Sequence, residues 1–318
     1  MNTSTRPVVE GGLLIAVALL MGLASVYLPI LGTIIEFFWA VPFTVLAVRQ
    51  GLDKAITGLI AATVLLMLFV GPLFALRLSL SFGPVGLAIG WCIRQKHDAV
   101  RIFITTLGAA FAGQILSIAI IFFVMDIDFM ETQTNLLREM FDETLKVYEE
   151  MGMDEATLTE ARETVEPTIT LALLLMPTVI VLMALINAAA SFWASKSILK
   201  KLDMQLPDFP RFAEWRFPIG FLYMMGFALI GMYWGVTRNI EWLHTMSINA
   251  NVLAMLAGFV QGLSLMSFAA DHFKLSKFLR RLLFLVVLLN GMLLQAVAFT
   301  GLFDMYFDYR KRLAKKKD

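Results

Sequence analysis

Residues 100–125 read Val-Arg-Ile-Phe-Ile-Thr-Thr-Leu-Gly-Ala-Ala-Phe-Ala-Gly-Gln-Ile-Leu-Ser-Ile-Ala-Ile-Ile-Phe-Phe-Val-Met, a long apolar run whose single charge, Arg101, lies next to one end. At about 1.5 Å of rise per residue, a helix of this length crosses the roughly 30 Å of hydrocarbon in a bilayer. Backbone groups in lipid must be satisfied within the chain itself. No stretch shows the ten-residue apolar/polar alternation of a membrane barrel strand, so the run is a membrane helix.

Reading outward from it gives nine such segments: Val8 to Leu28, Gly32 to Val48, Ala55 to Leu76, Leu78 to Ile93, Val100 to Met125, Thr168 to Ala194, Pro218 to Val236, Ile248 to Ala270 and Leu282 to Phe303. The composition agrees, with 59% hydrophobic and 16% charged residues over 318 positions. A water-soluble globule is excluded. The expected fold is an all-α integral membrane protein, a polytopic bundle of 8 to 9 transmembrane segments. The first apolar segment has no cleavage-site pattern and reads as an anchor rather than a signal peptide. Gly71-Pro72 and Gly83-Pro84 lie in the third and fourth segments, and proline removes a helix donor, so that pair is expected to form a broken hairpin.

Lys and Arg set the orientation when alternate loops are tallied separately. Fifteen bases fall in one set of loops and five in the other, which places the N-terminus in the cytoplasm. Six more bases form the tail, from Arg310 to Lys317. Nine full spans would put that tail outside, against the rule. A re-entrant Leu282 to Phe303, interrupted at Asn290-Gly291, leaves eight spans and a cytoplasmic tail, and is the favoured reading.

The one large polar stretch, Asp126 to Glu166, holds 13 acids against 3 bases, while the net charge of the whole chain is only +1. Leu137, Phe141, Leu145 and Tyr148 recur at helical spacing, Gly152 offers a stop and Asp154 a new cap. An extracytoplasmic amphipathic helical hairpin is expected. The balanced net charge argues against a nucleic-acid partner.

Chemistry is sparse. Cys92 is the only cysteine, which rules out an intrachain disulfide and any cysteine-based zinc site. No phosphate-binding GxxxxGK[ST] and no HExxH occurs, and His97, His244 and His272 fall beside span ends. No arrangement supports catalysis, so neither an enzyme nor a cofactor or metal site is expected. Asp304 and Asp308 stand at i, i+4 beside the basic tail and are expected to pair with Arg310 or Arg312.

Ionisable groups at membrane depth are costly and raise a functional question. Glu36 in the second segment and Arg77 between the third and fourth are expected at similar depth. Either they form an ion pair or they line a ligand pocket opening outward. Gln114, Asn187, Asn251, Gln261, Asn290 and Gln295 are neutral companions, of which Gln114 and Asn187 suit hydrogen bonds between helices. Gly12-x-x-x-Ala16 and Ala18-x-x-x-Gly22 give the first helix two close-packing pairs.

These features together resemble a known architecture. The first helix with its small-residue spacing, the turn Arg49-Gln-Gly-Leu-Asp-Lys54, Gly71-Pro72 and Phe82-Gly-Pro-Val-Gly-Leu-Ala-Ile-Gly90 ending at Arg94 resemble the six-helix fold of substrate-binding (S) components of energy-coupling factor transporters. Across nearly its whole length the chain looks like the YybS-like family of bacterial multi-pass membrane proteins. Gln261-Gly-Leu-Ser-Leu-Met-Ser-Phe268 and Gly301-Leu-Phe-Asp-Met-Tyr-Phe-Asp-Tyr-Arg-Lys-Arg312 carry that likeness.

The first resemblance implies a six-helix module over residues 1–196, with the acidic hairpin 126–166 inserted, followed by C-terminal membrane helices over 197–318. It also implies a small-molecule solute held near the outer face by Glu36, Arg77 and Gln114. Gly12 and Ala16 would dock on a transmembrane coupling subunit driven by ATPases. The hairpin and the helices after Lys196 depart from the six-helix pattern. A second reading is a scaffold or assembly factor that meets partner proteins through the acidic outer hairpin and basic inner loops. Under both, the lipid bilayer is a partner.

Overall fold

The computed structural model describes residues 5–125 and 128–315. Asp126 of the acidic stretch and Lys316 and Lys317 of the tail lie outside the described residues. Every regular element among the described residues is helical. Eight helical segments are long and apolar enough to cross a membrane. The chain is therefore a polytopic helical bundle. It divides into two compact units, Met1–Arg162 with Val179–Phe209, and Glu163–Thr178 with Pro210–Asp318.

The first unit opens with α1 (Thr5–Tyr27) and continues through α2 (Pro29–Phe38), α3 (Val41–Gln50), α4 (Leu52–Val70), α5 (Pro72–Arg94) and α6 (Ala99–Met125). The acidic stretch follows as α7 (Phe129–Glu150) and the start of α8 (Glu155–Leu174), the chain from Glu163 to Thr178 belongs to the second unit, and the rest of α9 (Met176–Lys201) completes the list. The expected punctuation holds in the acidic stretch. Gly152 turns the chain at φ 81°, and the Asp154 carboxylate accepts from Thr157 N and Thr157 Oγ1 at the start of α8. On α7, Leu137, Phe141 and Leu145 are the half-buried stripe positions of a helix with no fully buried residue.

The broken hairpin expected in the third and fourth segments is not there. Gly71, at φ 87°, makes the turn, and Pro72 opens α5 at a position whose N–H has no helical partner to lose. Pro84 lies inside α5, which runs unbroken over 23 residues. The break belongs to the second segment instead, where α2 stops at Phe38 and α3 resumes at Val41, followed at once by Pro42. Trp39, fully buried at that break, donates from its indole Nε1 to Ala18 O at 2.9 Å. Lipid tails are as apolar as leucine, so close approach rather than transfer from water holds such helices. Gly86 shows how close α5 comes to the break: a Cβ there would collide with Ala40 O.

The sixth span also starts later than expected. α8 carries the chain from the acidic stretch to Leu174, and the span is Met176–Lys201 rather than one beginning at Thr168.

The second unit contains a 3₁₀ turn at Phe212–Glu214, α10 (Gly220–Thr237), α11 (Glu241–His272), α12 (Lys277–Leu289), α13 (Gly291–Phe307) and α14 (Tyr309–Lys315). α11 is 32 residues long, so His244 and His272 stand in its first and last turns rather than in loops. The α8–α9 junction is tied to it by Asn249, whose Nδ2 donates to Leu174 O at 2.8 Å and whose Oδ1 accepts from Thr178 N at 2.9 Å.

α12 and α13 meet at Asn290 with a bend of 106°. At the start of α12, Arg280 bonds Asp271 and Ser267 near the C-terminal end of α11. Just past the end of α13, Arg310 bonds Ser264 at 3.0 Å and lies over the Phe268 ring, again on that part of α11. The pair therefore leaves one end of α11 and comes back to it. If the pair is re-entrant and the eight segments ahead of it all cross, the tail is expected on the N-terminal side. Single cysteines at Lys54 and Lys316, in a chain with Cys92 replaced by Ser, should be labelled by an impermeant maleimide from the same side of sealed vesicles. A cysteine at Glu150 should label only from the other. Labelling of the tail together with Glu150 would refute the return.

Candidate functional site

Glu36 stands in the last turn of α2, directly before the break, because Pro29 and Pro42 confine that short helix to Pro29–Phe38. Arg77 comes from the second turn of α5. Their side chains form a two-pronged ion pair, with Arg77 Nη2 on Glu36 Oε1 and Nη1 on Oε2 at 3.4 Å. The Glu36 side chain is 14% exposed and that of Arg77 37%. The Arg77 guanidinium also lies 4.8 Å from the Phe74 ring centre. Two residues on from Arg77, Ser79 accepts a hydrogen bond of 2.7 Å from Thr63 of α4. The pair thus joins two helices at the edge of a broken span, with the arginine still partly open.

Gln114, the third residue expected here, sits half-exposed on α6, and no hydrogen bond joins it to Glu36 or Arg77. Its fellow Asn187 does bridge helices, donating to Ser81 O at 2.9 Å.

The two small-residue pairs of α1 have different surroundings. Ala18 and Gly22 face inward, with Gly22 so close to Leu66 that a Cβ would meet its Cδ2 at 2.6 Å. Gly12 and Ala16 face outward, and a Cβ on Gly12 would meet nothing within 4 Å. They lie on a face with Leu13 and Leu20, which are 64% and 65% exposed.

A second buried polar cluster, in the other unit, is mostly absent from the expectations. Arg310 and Asp304, 4% and 3% exposed at the side chain, approach to 3.5 Å. Arg310 Nη1 donates to Ala213 O at 2.7 Å, and Gln261 Nε2 donates to Asp304 Oδ2 at 2.6 Å. Gln261 Oε1 in turn accepts from Phe217 N, while Ser264 donates to Phe212 O. The Asp304–Arg310 pairing follows the expected use. Asp308 instead takes Arg216 at 2.9 Å and Lys311 at 3.0 Å. Gln261, Ser264 and Phe268 repeat at i, i+3 and i+7, a helical face that marks the site in sequence. Burial lowers the Arg310 pKa from its ordinary value, against the pull of Asp304. Burial acts to raise that of Asp308, but its hydrogen bonds from Lys311 and Arg216 prevail and hold it below the usual carboxylate value. This cluster anchors the tail and the 3₁₀ turn to α11.

Among the described residues no three of His, Cys, Asp and Glu are grouped to hold a metal ion.

The two clusters should respond differently to substitution. Glu36→Gln or Arg77→Met alone should lower stability in detergent by about 1–2 kcal/mol, the arginine's exposure moderating the loss, and the double change should recover most of it. Asp304→Ala leaves a fully buried guanidinium without its anion and should cost about 3–5 kcal/mol. Thermal melting of the four purified variants checks both, and equal losses at the two sites would contradict the contrast.

A family model described as "Predicted membrane protein (DUF2232)" matches residues 15–305. The uncharacterized protein YybS of Bacillus subtilis (strain 168) is 22% identical over 316 residues, which cover 97% of this chain and 99% of that protein. No solved structure matches the chain.

Proposed function

The chain belongs to the DUF2232 family of predicted membrane proteins, and from that premise we propose that it is a membrane subunit that binds a small solute and works with a separate membrane partner docked on α1. The observation that carries the reading is the outward-facing Gly12-x-x-x-Ala16 pair on α1, the same spacing that Ala18 and Gly22 use for packing within the unit. A glycine in a helix costs about 1 kcal/mol relative to alanine and gains nothing from an open flank. It does gain when another helix crosses there. The resemblance to transporter S components agrees, since those subunits have no ATPase of their own, and this chain has no nucleotide-binding loop.

In this reading the solute enters near Glu36 and Arg77, beside the broken second span. Discontinuous membrane helices present unpaired backbone groups to polar substrates, and the partly open guanidinium of Arg77 favours a solute with an anionic group. Gln114 belongs to the same proposal as a neutral contact from α6. The N-terminus lies in the cytoplasm of the bacterial cell, where the partner's ATPases would supply energy. The protein itself is not an enzyme and needs no cofactor.

One observation favours a scaffold as the second reading: α7 has no buried residue, and Met130, Leu136, Met140 and Val147 are exposed along it between its acids. The readings separate on purification in mild detergent. If α1 docks a transport partner, the wild type should retain a membrane subunit together with ATPases. Gly12→Leu combined with Ala16→Leu should reduce that retention at least tenfold at unchanged melting temperature. Deleting residues 131–163 should spare it. Loss of partners only on the deletion would replace the solute reading with the scaffold.

A further inference from the structure

The stretch from His272 to Phe303 contains no Asp or Glu, yet it carries Lys274, Lys277, Arg280 and Arg281 within eight positions. Arg280 is spent inside the unit, on Asp271 at 2.7 Å and on Ser267. Lys274, in the turn with φ 52°, and Lys277 and Arg281, on the first turn and a half of α12, are all exposed and take part in no ion pair among the described residues. That arrangement opposes ordinary helix electrostatics. The N-terminal end of a helix is its positive end and favours anions, and two like charges at i, i+4 repel one another. The sequence has put its cations where an anion from outside the protein would relieve them.

The same helix supplies an apolar companion surface. Phe278, Leu282, Leu285 and Leu289 follow at helical spacing and are 75%, 42%, 52% and 77% exposed. Thirteen residues make a helix of about 20 Å, close to the length of an acyl chain. Both ends of the α12–α13 pair return to one end of α11, so the cations sit where the pair enters the membrane and the apolar stripe runs inward from them. The adjacent Phe273, 62% exposed, has the aromatic character of the headgroup level.

We propose that Lys274, Lys277 and Arg281 bind the headgroup of an anionic phospholipid whose acyl chains lie along the exposed stripe of α12. The charge excludes a zwitterionic lipid as the preferred occupant, and the stripe beside the cations distinguishes a lipid from a free phosphate ion. The inference is independent of any solute and requires only that the chain be in a bilayer.

The test uses the full chain purified in mild detergent and equilibrated with equal amounts of phosphatidylglycerol and phosphatidylcholine, with retained lipid counted by native mass spectrometry. Each cation near an anionic headgroup is worth about fivefold. Wild type should retain phosphatidylglycerol in at least tenfold preference, and Lys277→Gln with Arg281→Gln should reduce that preference at least tenfold. Lys200→Gln with Lys201→Gln, which removes the same charge from α9, should leave it unchanged. Equal loss in both double variants would show a mere net-charge effect and overturn the site. So would equal retention of the two lipids by wild type. Melting curves of each variant establish that it is folded. Inorganic phosphate is the remaining arm: if millimolar phosphate alone raises the wild-type melting temperature as much as phosphatidylglycerol does, the stripe is not part of the site and the lipid assignment fails.

Discussion

A carbonyl released inside hydrocarbon has no water to turn to, and the first unit is organised around meeting that demand. Its prolines create the released groups. Pro84 has no N–H to offer Leu80 O, and its ring disturbs the same turn of α5. Pro42 follows the break after α2. On α9, Asn187, Ser191 and Ser195 form a polar row at i, i+4 and i+8, facing those places. Asn187 donates to Ser81 O at 2.9 Å, Ser191 to Phe37 O at 3.2 Å, and Ser195 reaches Thr44 at 3.4 Å, whose own hydroxyl lies 3.2 Å from Gly86 O. Each bond is worth on average about 0.6 kcal/mol in a membrane. Their larger effect is to fix which face of α9 points inward.

The second unit meets the same demand with other residues. Asn249 satisfies both sides of the α8–α9 junction, and Gln261, Ser264 and Arg310 close the backbone of the loop around the 3₁₀ turn. At the α12–α13 bend Asn290 caps its own helix, with its Oδ1 accepting from Met292 N and Leu293 N. Most polar residues at depth in this protein therefore serve the backbone. Glu36 and Arg77 are different, because they bond to each other rather than to freed carbonyls, and this is what sets them apart as a candidate site.

Much of this is legible in the sequence. The apolar runs gave the membrane helices, Gly152 and Asp154 gave the turn and the cap between α7 and α8, and the depth argument brought Glu36 to Arg77. Asn290-Gly291 marked the bend in the last pair. The misplaced break has one cause. A proline reports that an N–H is missing but not whether that loss matters. At Pro72 it falls on a helix start, where the N–H has no partner anyway, and at Pro84 the helix runs on, with Asn187 of α9 bonding the next carbonyl, Ser81 O. At Pro42 it coincides with a real break, where Trp39 is drawn away to Ala18. What packs against such a turn comes from residues more than a hundred positions away, as with Asn187 and Ser81, and no local pattern contains that.

The two small-residue pairs on α1 set the same limit for function. By spacing alone, Gly12-x-x-x-Ala16 and Ala18-x-x-x-Gly22 are equivalent. Six positions separate the two motifs, or 600° at 100° per residue, which places their faces about 120° apart around the helix. The face that meets α4 is settled by Leu66 at Gly22 and by Trp39 at Ala18, and the other face is left without a neighbour in its own unit. A sequence pattern reports that a helix can be approached closely. Only the packing tells which of the approaches has been used, and the one still open is where an interaction beyond this chain has room to form.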